Sequence, residues 1–280
     1  GGTANTPAEF LPLGQGAMRY RIDTKNQSYT AASGTTHTIT ASGSAQHSTT
    51  QKKIGATGID VLTAGEKING PIHSDFNWVG DFTVECWFWK SSSWGSYTRF
   101  FNSAVGSGGD EHINCDFNGS SLRAHASTSG SNRSVFNQTT TSHGISSSTW
   151  HHMAYVRNGN NFNVYIDGVS KLSGTSSGTI ATGGGITFGG YNIRVEAALT
   201  LQGYLDEMRV SSVARYTANF TAFGQGGGTI SSPTAFTTDS DTVLLIHSDA
   251  TNGNTTFTDS SAIAESGKVT RIHGTSLAWS

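Results

Sequence analysis

The stretch of residues 148–168 constrains the fold most strongly, because its apolar and polar residues follow the pattern of a β-hairpin. In its second half, Phe162, Val164 and Ile166 alternate with Asn, Tyr and Asp, which is the period of two that a half-buried strand requires. Asn158-Gly159 separates this half from the first, and Asn-Gly supplies the positive φ angles of a tight hairpin turn. The stretch therefore predicts two antiparallel strands.

Two further segments have strand character and flank this hairpin. Residues 81–87 read D-F-T-V-E-C-W, and residues 203–210 read G-Y-L-D-E-M-R-V. Together with W-H-H-M-A-Y-V-R at residues 150–157, they resemble, in the same order, the central strands of the laminin-G-like (concanavalin-A-like) jelly roll. The resemblance covers residues 59–223 and implies an all-β fold, a two-sheet antiparallel jelly-roll sandwich.

Composition agrees with such a sandwich and excludes some partners. The 280 residues include 35 glycines among abundant Ser, Thr and Asn, which suits many short strands joined by tight turns. Only 13% of residues are charged and the net charge is −2, so there is no basic surface for nucleic acid. No apolar run approaches the ~20 residues that cross a bilayer, so we expect no membrane insertion.

The segment 82–90 is apolar on both faces, because Trp87 and Trp89 alternate with the apolar residues of the other face. Such a strand is central, and we expect a loop or a partner to cover its second face. Cys86 lies in this strand, and the sequence leaves open whether it forms a disulfide with Cys115.

A weak internal repeat divides the chain. Seven residues near the N-terminus are identical to the residues 226 positions further on. This repeat predicts one unit over residues 1–226 and the start of a second unit over residues 227–280, which forms a C-terminal β extension. About fifty residues cannot bury a core alone, so we expect the second segment to pack on a neighbour or on the first unit. The first copies of the seven residues are Gly1, Gly2, Thr3, Pro7, Phe10, Asp23 and Asn26.

The acidic residues do not form the pair that glycoside hydrolysis needs. Retaining glucanases hold two carboxylates about 5–5.5 Å apart, which on one strand means acidic residues two positions apart. None of the seven glutamates has an acidic residue two positions further on. We therefore predict that the protein is not an enzyme and has no catalytic residues.

Histidine and acidic residues are candidate metal ligands. His151 and His152 are adjacent, so on a strand they point to opposite faces; we expect one to be packed and one hydrogen-bonded. Calcium is the one cofactor the sequence suggests, because Asp110, Glu111 and Asp116 follow a Gly-rich loop and carry hard oxygen ligands. Solvated loop carboxylates are the alternative explanation.

The closing strand carries two more acidic residues, and a change of structure is expected after it. We expect Asp206 and Glu207 to hydrogen-bond to neighbouring backbone rather than to bind metal. The resemblance to the jelly-roll family also predicts a short helical turn over residues 212–216.

The candidate ligand-binding residues are aromatic. Trp94 and Tyr97 lie in the loop after the strand 82–90, and exposed rings of this kind stack on sugars. The alternative is that these rings cover the second face of that strand or lie in a contact between subunits.

The Gly/Ser/Thr-rich repeat style, with residues 239–261 between units, resembles virion structural proteins of tailed bacteriophages, especially marine ones. This resemblance implies a non-catalytic structural and adhesion module at the virion surface, a fibre or a capsid decoration. Its partners would be copies of itself, other virion proteins and a host-surface glycan. The alternatives are a secreted bacterial surface adhesin or filament subunit and, with least support, a glucanase.

Overall fold

The computed structural model describes residues 11–13, 17–19, 36–91, 97–105, 110–129, 132–191, 199–222 and 235–261. The chain divides into two compact units, Gly1–Ala31 and Ala32–Ser280. In the first unit, β1 (Leu11–Leu13) and β2 (Ala17–Arg19) pair as an antiparallel hairpin.

The second unit contains two antiparallel sheets. In spatial order, the seven-stranded sheet consists of β11 (Phe136–Thr140), β10 (Ser121–Ala126), β9 (Asp110–Asn118), β8 (Thr98–Val105), β15 (Thr187–Phe188), β6 (Lys67–Asn69) and β3 (Thr40–Ser42). The eight-stranded sheet consists of β14 (Val169–Thr175), β13 (Asn161–Ile166), β12 (Trp150–Asn158), β7 (Phe82–Lys90), β16 (Gly203–Ser211), β5 (Gly58–Val61) and β4 (Gln46–Ser48), with β17 (Thr242–Ile246) also paired to β16.

The predicted all-β sandwich is confirmed. Its apolar core lies between the two sheets and includes Phe88 of β7 and Phe100 of β8, whose ring centroids are 4.5 Å apart. Cys86 and Cys115 are both free and buried in this core, and burial raises the pKa of each thiol. Among the residues described, no helix is long and apolar enough to span a membrane.

The strands of the three sequence motifs, β7, β12 and β16, lie where the sequence predicts them. The structure differs from the prediction at two short elements. β7 has the predicted bounds, and β12 and β13 form the predicted hairpin, in which Tyr155 is paired with Val164. The single-turn 3₁₀ helix η1 (Ser74–Phe76) was not predicted.

The helical turn predicted over residues 212–216 is wrong. This segment consists of bends, because tertiary contacts fix its backbone in place of local ones. The backbone N–H of Arg215 donates to Oγ1 of Thr83, and its guanidinium binds both carboxylate oxygens of Asp239 at 2.8 and 2.9 Å.

The three sequence motifs meet at one buried carboxylate, Glu85 of β7. Arg209 of β16 donates from Nε to Glu85 Oε1 at 2.8 Å, and Nε2 of His152 on β12 lies 3.1 Å from Oε2. The hydroxyl of Tyr216 donates to the same Oε2 at 2.8 Å. Burial alone would raise the pKa of Glu85, but the hydrogen bond from His152 and the charge of Arg209 outweigh it and hold the pKa at about 2.

The C-terminal segment completes the sandwich. Leu244 and Ile246 of β17 lie in the main core, while Leu245 packs on the outer face of β7 against Trp87. Phe236 also covers Trp87, which is fully buried. The predicted cover over the second face of β7 is therefore confirmed, and residues of the same chain provide it. The division into a unit over 1–226 and a second repeat over 227–280 stays a prediction.

Polar contacts attach both the segment before β5 and this C-terminal segment to β16. The backbone N–H groups of Lys53 and Ile54 donate to Asp206, and the N–H of Phe236 donates to Glu207 at 2.6 Å. The expectation that both acidic residues bind backbone is confirmed. Glu207 also lies 2.7 Å from Nδ1 of His247, and this hydrogen bond raises the pKa of the imidazole.

Replacement of Glu85 by Gln should destabilise the protein at neutral pH by about 3 kcal/mol, because the pKa of the carboxyl falls from 4.5 to about 2 on folding. Since the folded pKa is the lower one, this stabilisation is present above pH 4.5 and is lost as pH falls toward 2. Urea denaturation at pH 7 and pH 3 measures it. The partly exposed Asp60→Asn variant is the control, and an equal loss in both variants would contradict the central role of Glu85.

A chain that ends at Ala222 should have a melting temperature lower by about 10 °C or more, because it lacks the four apolar side chains of residues 236–246 that cover β7 or enter the core. Differential scanning calorimetry measures the change, and red-shifted tryptophan fluorescence reports exposure of Trp87. A chain that ends at Ser261 keeps these residues and is the control. Equal melting temperatures for the two truncated chains would show that β17 contributes little.

Candidate functional site

A row of polar residues crosses the outer face of the seven-stranded sheet. Residues paired across neighbouring strands share a face, so the strand registers identify the row directly. It contains one residue from every strand, and all seven are polar. From one edge to the other they are Thr40, Asn69, Thr187, Asn102, Asn114, His125 and Asn137.

A second, shorter row runs beside the first across β8, β9, β10 and β11. It consists of Arg99, Asp116, Arg123 and Thr139, which are paired across the four strands. Arg123 donates to both carboxylate oxygens of Asp116, from Nε at 2.9 Å and from Nη2 at 2.7 Å. This two-point geometry fixes the guanidinium, and Asp116 is fully buried.

Glu111 joins the two rows. It accepts a hydrogen bond from Nη2 of Arg99 at 2.6 Å, and its other oxygen lies 2.6 Å from Nε2 of His125. Burial would raise the pKa of Glu111, but the hydrogen bond and charge of His125, together with Arg99, bring it to about 2. The carboxylate is therefore ionised at neutral pH.

Several polar atoms in the centre of this face have unused hydrogen-bonding capacity. Nη1 of Arg99, Oδ1 of Asn102, Nδ2 of Asn114 and Nδ1 of His125 are buried and have no hydrogen-bond partner among the described residues. They comprise donors and an acceptor. A buried, unpaired polar group costs about 1–3 kcal/mol. Ordered water or hydroxyl groups of a ligand can satisfy both types of atom.

Aromatic rings lie against both arginines. The guanidinium carbon of Arg99 is 4.4 Å from the ring centroid of Tyr191, and that of Arg123 is 5.2 Å from the centroid of Tyr97. Tyr191 is buried, whereas 40% of Tyr97 is exposed. Tyr97 therefore has an accessible ring held over a fixed charge. Trp94, the other predicted sugar-stacking residue, lies outside the described residues.

The polar face is accessible at its β10–β11 edge, as it is at Thr40 on the opposite edge. Asn137 and Thr139 are exposed, and they pair with His125 and Arg123 respectively. We call the group formed by Tyr97, Arg123, Asn137 and Thr139 the edge site. It combines an exposed ring, a fixed guanidinium, an amide and a hydroxyl.

Two of the three predicted calcium ligands, Glu111 and Asp116, are not free carboxylates. Glu111 and Asp116 both form ion pairs with arginines, and the side chain of Asp110 lies outside the described residues. A calcium site at these residues stays a prediction.

The neighbouring histidines behave as the strand geometry requires, with one correction. His151 lies beside the core residue Phe88, whereas His152 lies beside Trp87 on the other face. The expectation that only one is hydrogen-bonded is wrong: Nδ1 of His151 is 2.6 Å from Asp167 Oδ2, and His152 bonds Glu85.

The arginines and His125 of this face were not identified from the sequence, because no local motif marks them. The sequence pattern that could have indicated them is the alternation of polar residues in two neighbouring strands. It is seen in Asn114-x-Asp116 on β9 and in Arg123-x-His125 on β10. Its meaning depends on the strand order, which the sequence does not give.

Comparison with known families identifies the class of protein. The family model of the Concanavalin A-like lectin/glucanases superfamily matches residues 63–219, which is more than half of the chain. The chain therefore belongs to this superfamily, and the predicted laminin-G-like resemblance is confirmed at that level. No curated protein matches the chain.

Solved structures with a similar fold include carbohydrate complexes. Domain 4 of AbnA, a GH43 extracellular arabinanase from Geobacillus stearothermophilus in complex with arabinotriose, is 21% identical with a TM-score of 0.46, over 64% of this chain and 82% of that one. The Botulinum neurotoxin serotype D ligand binding domain in complex with N-acetylneuraminic acid is 13% identical with a TM-score of 0.49, over 72% of this chain and 46% of that one. The Ruminococcus gnavus IT-sialidase CBM40 bound to alpha2,3 sialyllactose is 12% identical with a TM-score of 0.41, over 50% and 79%.

The Asn102→Ala variant should change the melting temperature by less than about 2 °C, because the lost hydrogen bond to Asn114 is offset by removal of the unpaired Oδ1. His152→Ala should lower it by about 6 °C or more, since it removes a hydrogen-bond donor from buried Glu85. Thermal unfolding of both variants tests this contrast. A large fall for Asn102→Ala would show that its Oδ1 is bonded in the folded protein.

Proposed function

We propose that this protein is a non-catalytic glycan-binding module, and that the edge site binds the sugar. The supporting observation is the exposed ring of Tyr97 beside Arg123, with Asn137 and Thr139 on the same face. An aromatic ring stacks on the apolar face of a pyranose, while amide and hydroxyl groups bond its hydroxyls.

The edge site is held rigidly, which favours binding. Tyr97 has a φ of 63°, a left-handed conformation that a bulky residue adopts only when its surroundings impose it. Arg123 is fixed by Asp116 at two points, so neither the ring nor the charge beneath it has much freedom to lose. Preorganisation of this kind lowers the entropic cost of binding.

The acidic residues of the same face support a non-catalytic role. Each of the two carboxylates is held by an arginine, Glu111 by Arg99 and Asp116 by Arg123. A carboxylate fixed in an ion pair is less available as a nucleophile or a proton donor. Moreover, the low pKa of Glu111 makes it a poor proton donor at neutral pH.

The biological setting that we propose is a virion fibre or capsid decoration that attaches to host-surface glycans. It rests on the Gly/Ser/Thr-rich repeat style and the low charge of the chain. Weak binding sites gain strength when many copies act together, as in a fibre. A secreted bacterial surface adhesin or filament subunit is the second candidate, and the DNA that flanks the coding sequence distinguishes them: capsid and tail genes support the first, a secretion signal upstream the second.

The glycan proposal predicts measurable sugar binding that depends on Tyr97. On a glycan array followed by calorimetry, with arabinotriose and sialyllactose among the probes, Tyr97→Ala should weaken binding at least about tenfold, since stacking contributes on the order of 1–2 kcal/mol. Tyr97→Phe should retain most of it, because the ring remains.

Neighbouring residues provide a matched control. Asn137→Ala removes an amide of the edge site, whereas Gln138→Ala changes the next residue of β11, whose side chain lies on the opposite face. Binding should fall in the first variant and not in the second. No binding by the wild type to any glycan, or equal binding by all variants, would overturn the proposal.

A further inference from the structure

Three potential metal ligands lie together at a place that neither the polar face nor the Glu85 cluster uses. His37 precedes β3, and His73 and Asp75 belong to the turn that forms η1. Among the described residues, they are the one group of three whose ligand atoms all lie within 4.8 Å of one another. His73 follows His37 by 36 positions, so only the fold brings the two parts together.

The distances suit a small divalent cation. Nε2 of His37 is 3.3 Å from Oδ2 of Asp75, and Nδ1 of His73 is 3.2 Å from Oδ1 of the same carboxylate. Donors around a tetrahedral zinc ion, each about 2.0–2.1 Å from the metal, lie about 3.3 Å from one another. These two contacts use different oxygens of Asp75, and one ligand atom from each residue lies within 4.8 Å of the other two, so side-chain rotation must bring them closer around such an ion.

Two of these atoms are buried and unbonded. Nε2 of His37 and Oδ2 of Asp75 are close, yet neither has a hydrogen-bond partner among the described residues. The side chain of His37 is 1% exposed, and its ring packs against Phe76 with centroids 4.9 Å apart. A buried nitrogen directed at a buried carboxylate oxygen without a hydrogen bond costs free energy, and a bound cation satisfies both atoms.

The third ligand is more accessible. The side chain of His73 is 38% exposed and that of Asp75 is 22% exposed, so an ion can enter from solvent and keep a water as its fourth ligand. Nδ1 of His73 accepts a hydrogen bond from the backbone N–H of Asp75 at 3.2 Å. A metal bound through Nδ1 replaces this bond, and rotation of the half-exposed ring offers Nε2 as the alternative ligand.

We propose that His37, His73 and Asp75 form a zinc site with three protein ligands. Two imidazoles and one carboxylate match the ligand preferences of zinc and other late first-row metals, whereas calcium prefers oxygen ligands alone. The ion joins the segment before β3 to the turn before β7. The backbone N–H of His37 donates to Asp259 at 2.8 Å, so the same ion also stiffens a contact with the C-terminal segment.

The test is metal binding to the metal-free, full-length protein, measured without any glycan. Titration with zinc should show one site per chain, and cobalt should give the visible absorption of a nitrogen- and oxygen-ligated ion. At a zinc concentration of 100 times Kd, the melting temperature should rise by about 5 °C. Calcium at the same concentration should have no such effect.

Variants distinguish this site from adventitious binding. Asp75→Asn and His73→Gln should each weaken zinc binding at least tenfold, and both keep a side chain of similar size if His37→Ala fails to fold. His143→Ala, in a turn before β12, is the control and should bind zinc like the wild type. Equal zinc affinity in all variants, or no zinc binding by the wild type, would overturn the proposal.

Discussion

A fully buried carboxylate, Glu85, holds the sandwich together at the point where its three motif strands adjoin. Ionised and buried, it would be strongly unfavourable without partners, yet His152, Arg209 and Tyr216 each supply a donor. These donors come from two neighbouring strands and from the segment that follows β16. The position of each element is therefore coupled to the others through one charge, and removal of any donor leaves that charge partly unsatisfied.

The same face of β7 explains why the C-terminal segment is part of this sandwich. Trp87 lies beside Glu85 and needs a cover, which Phe236 and Leu245 provide. Hydrogen bonds then hold the covering segment, because the backbone N–H of Phe236 donates to Glu207 and the hydroxyl of Ser248 donates to Asp206. The apolar contacts with Trp87 and the hydrogen bonds to Asp206 and Glu207 thus act together. Through them, part of the outer face of the eight-stranded sheet forms a second, smaller apolar core.

The outer face of the seven-stranded sheet has the opposite character. Its two rows are polar across the sheet, their charges are neutralised in pairs, and several central atoms have no hydrogen-bond partner among the described residues. A polar outer face is usual for an antiparallel sheet, but these atoms are buried, and burial of an unpaired polar atom is costly. At the edge site, where Tyr97 is exposed, this polar face reaches solvent.

The sequence by itself determined the all-β class, the bounds of β7 and the hairpin of β12 and β13, because alternation with a period of two is a local property. It also indicated Tyr97, Glu111 and Asp116, but for two separate sites, and it missed Arg99, Arg123 and His125. Only the tertiary structure placed these residues on one face, since their proximity depends on strand order and on register shifts in β8 and β9. The same holds for Glu85, whose partner Arg209 is 124 residues away, and for His37 and Asp75: a contact between distant residues is decided by how the sheets pair, which no local pattern encodes.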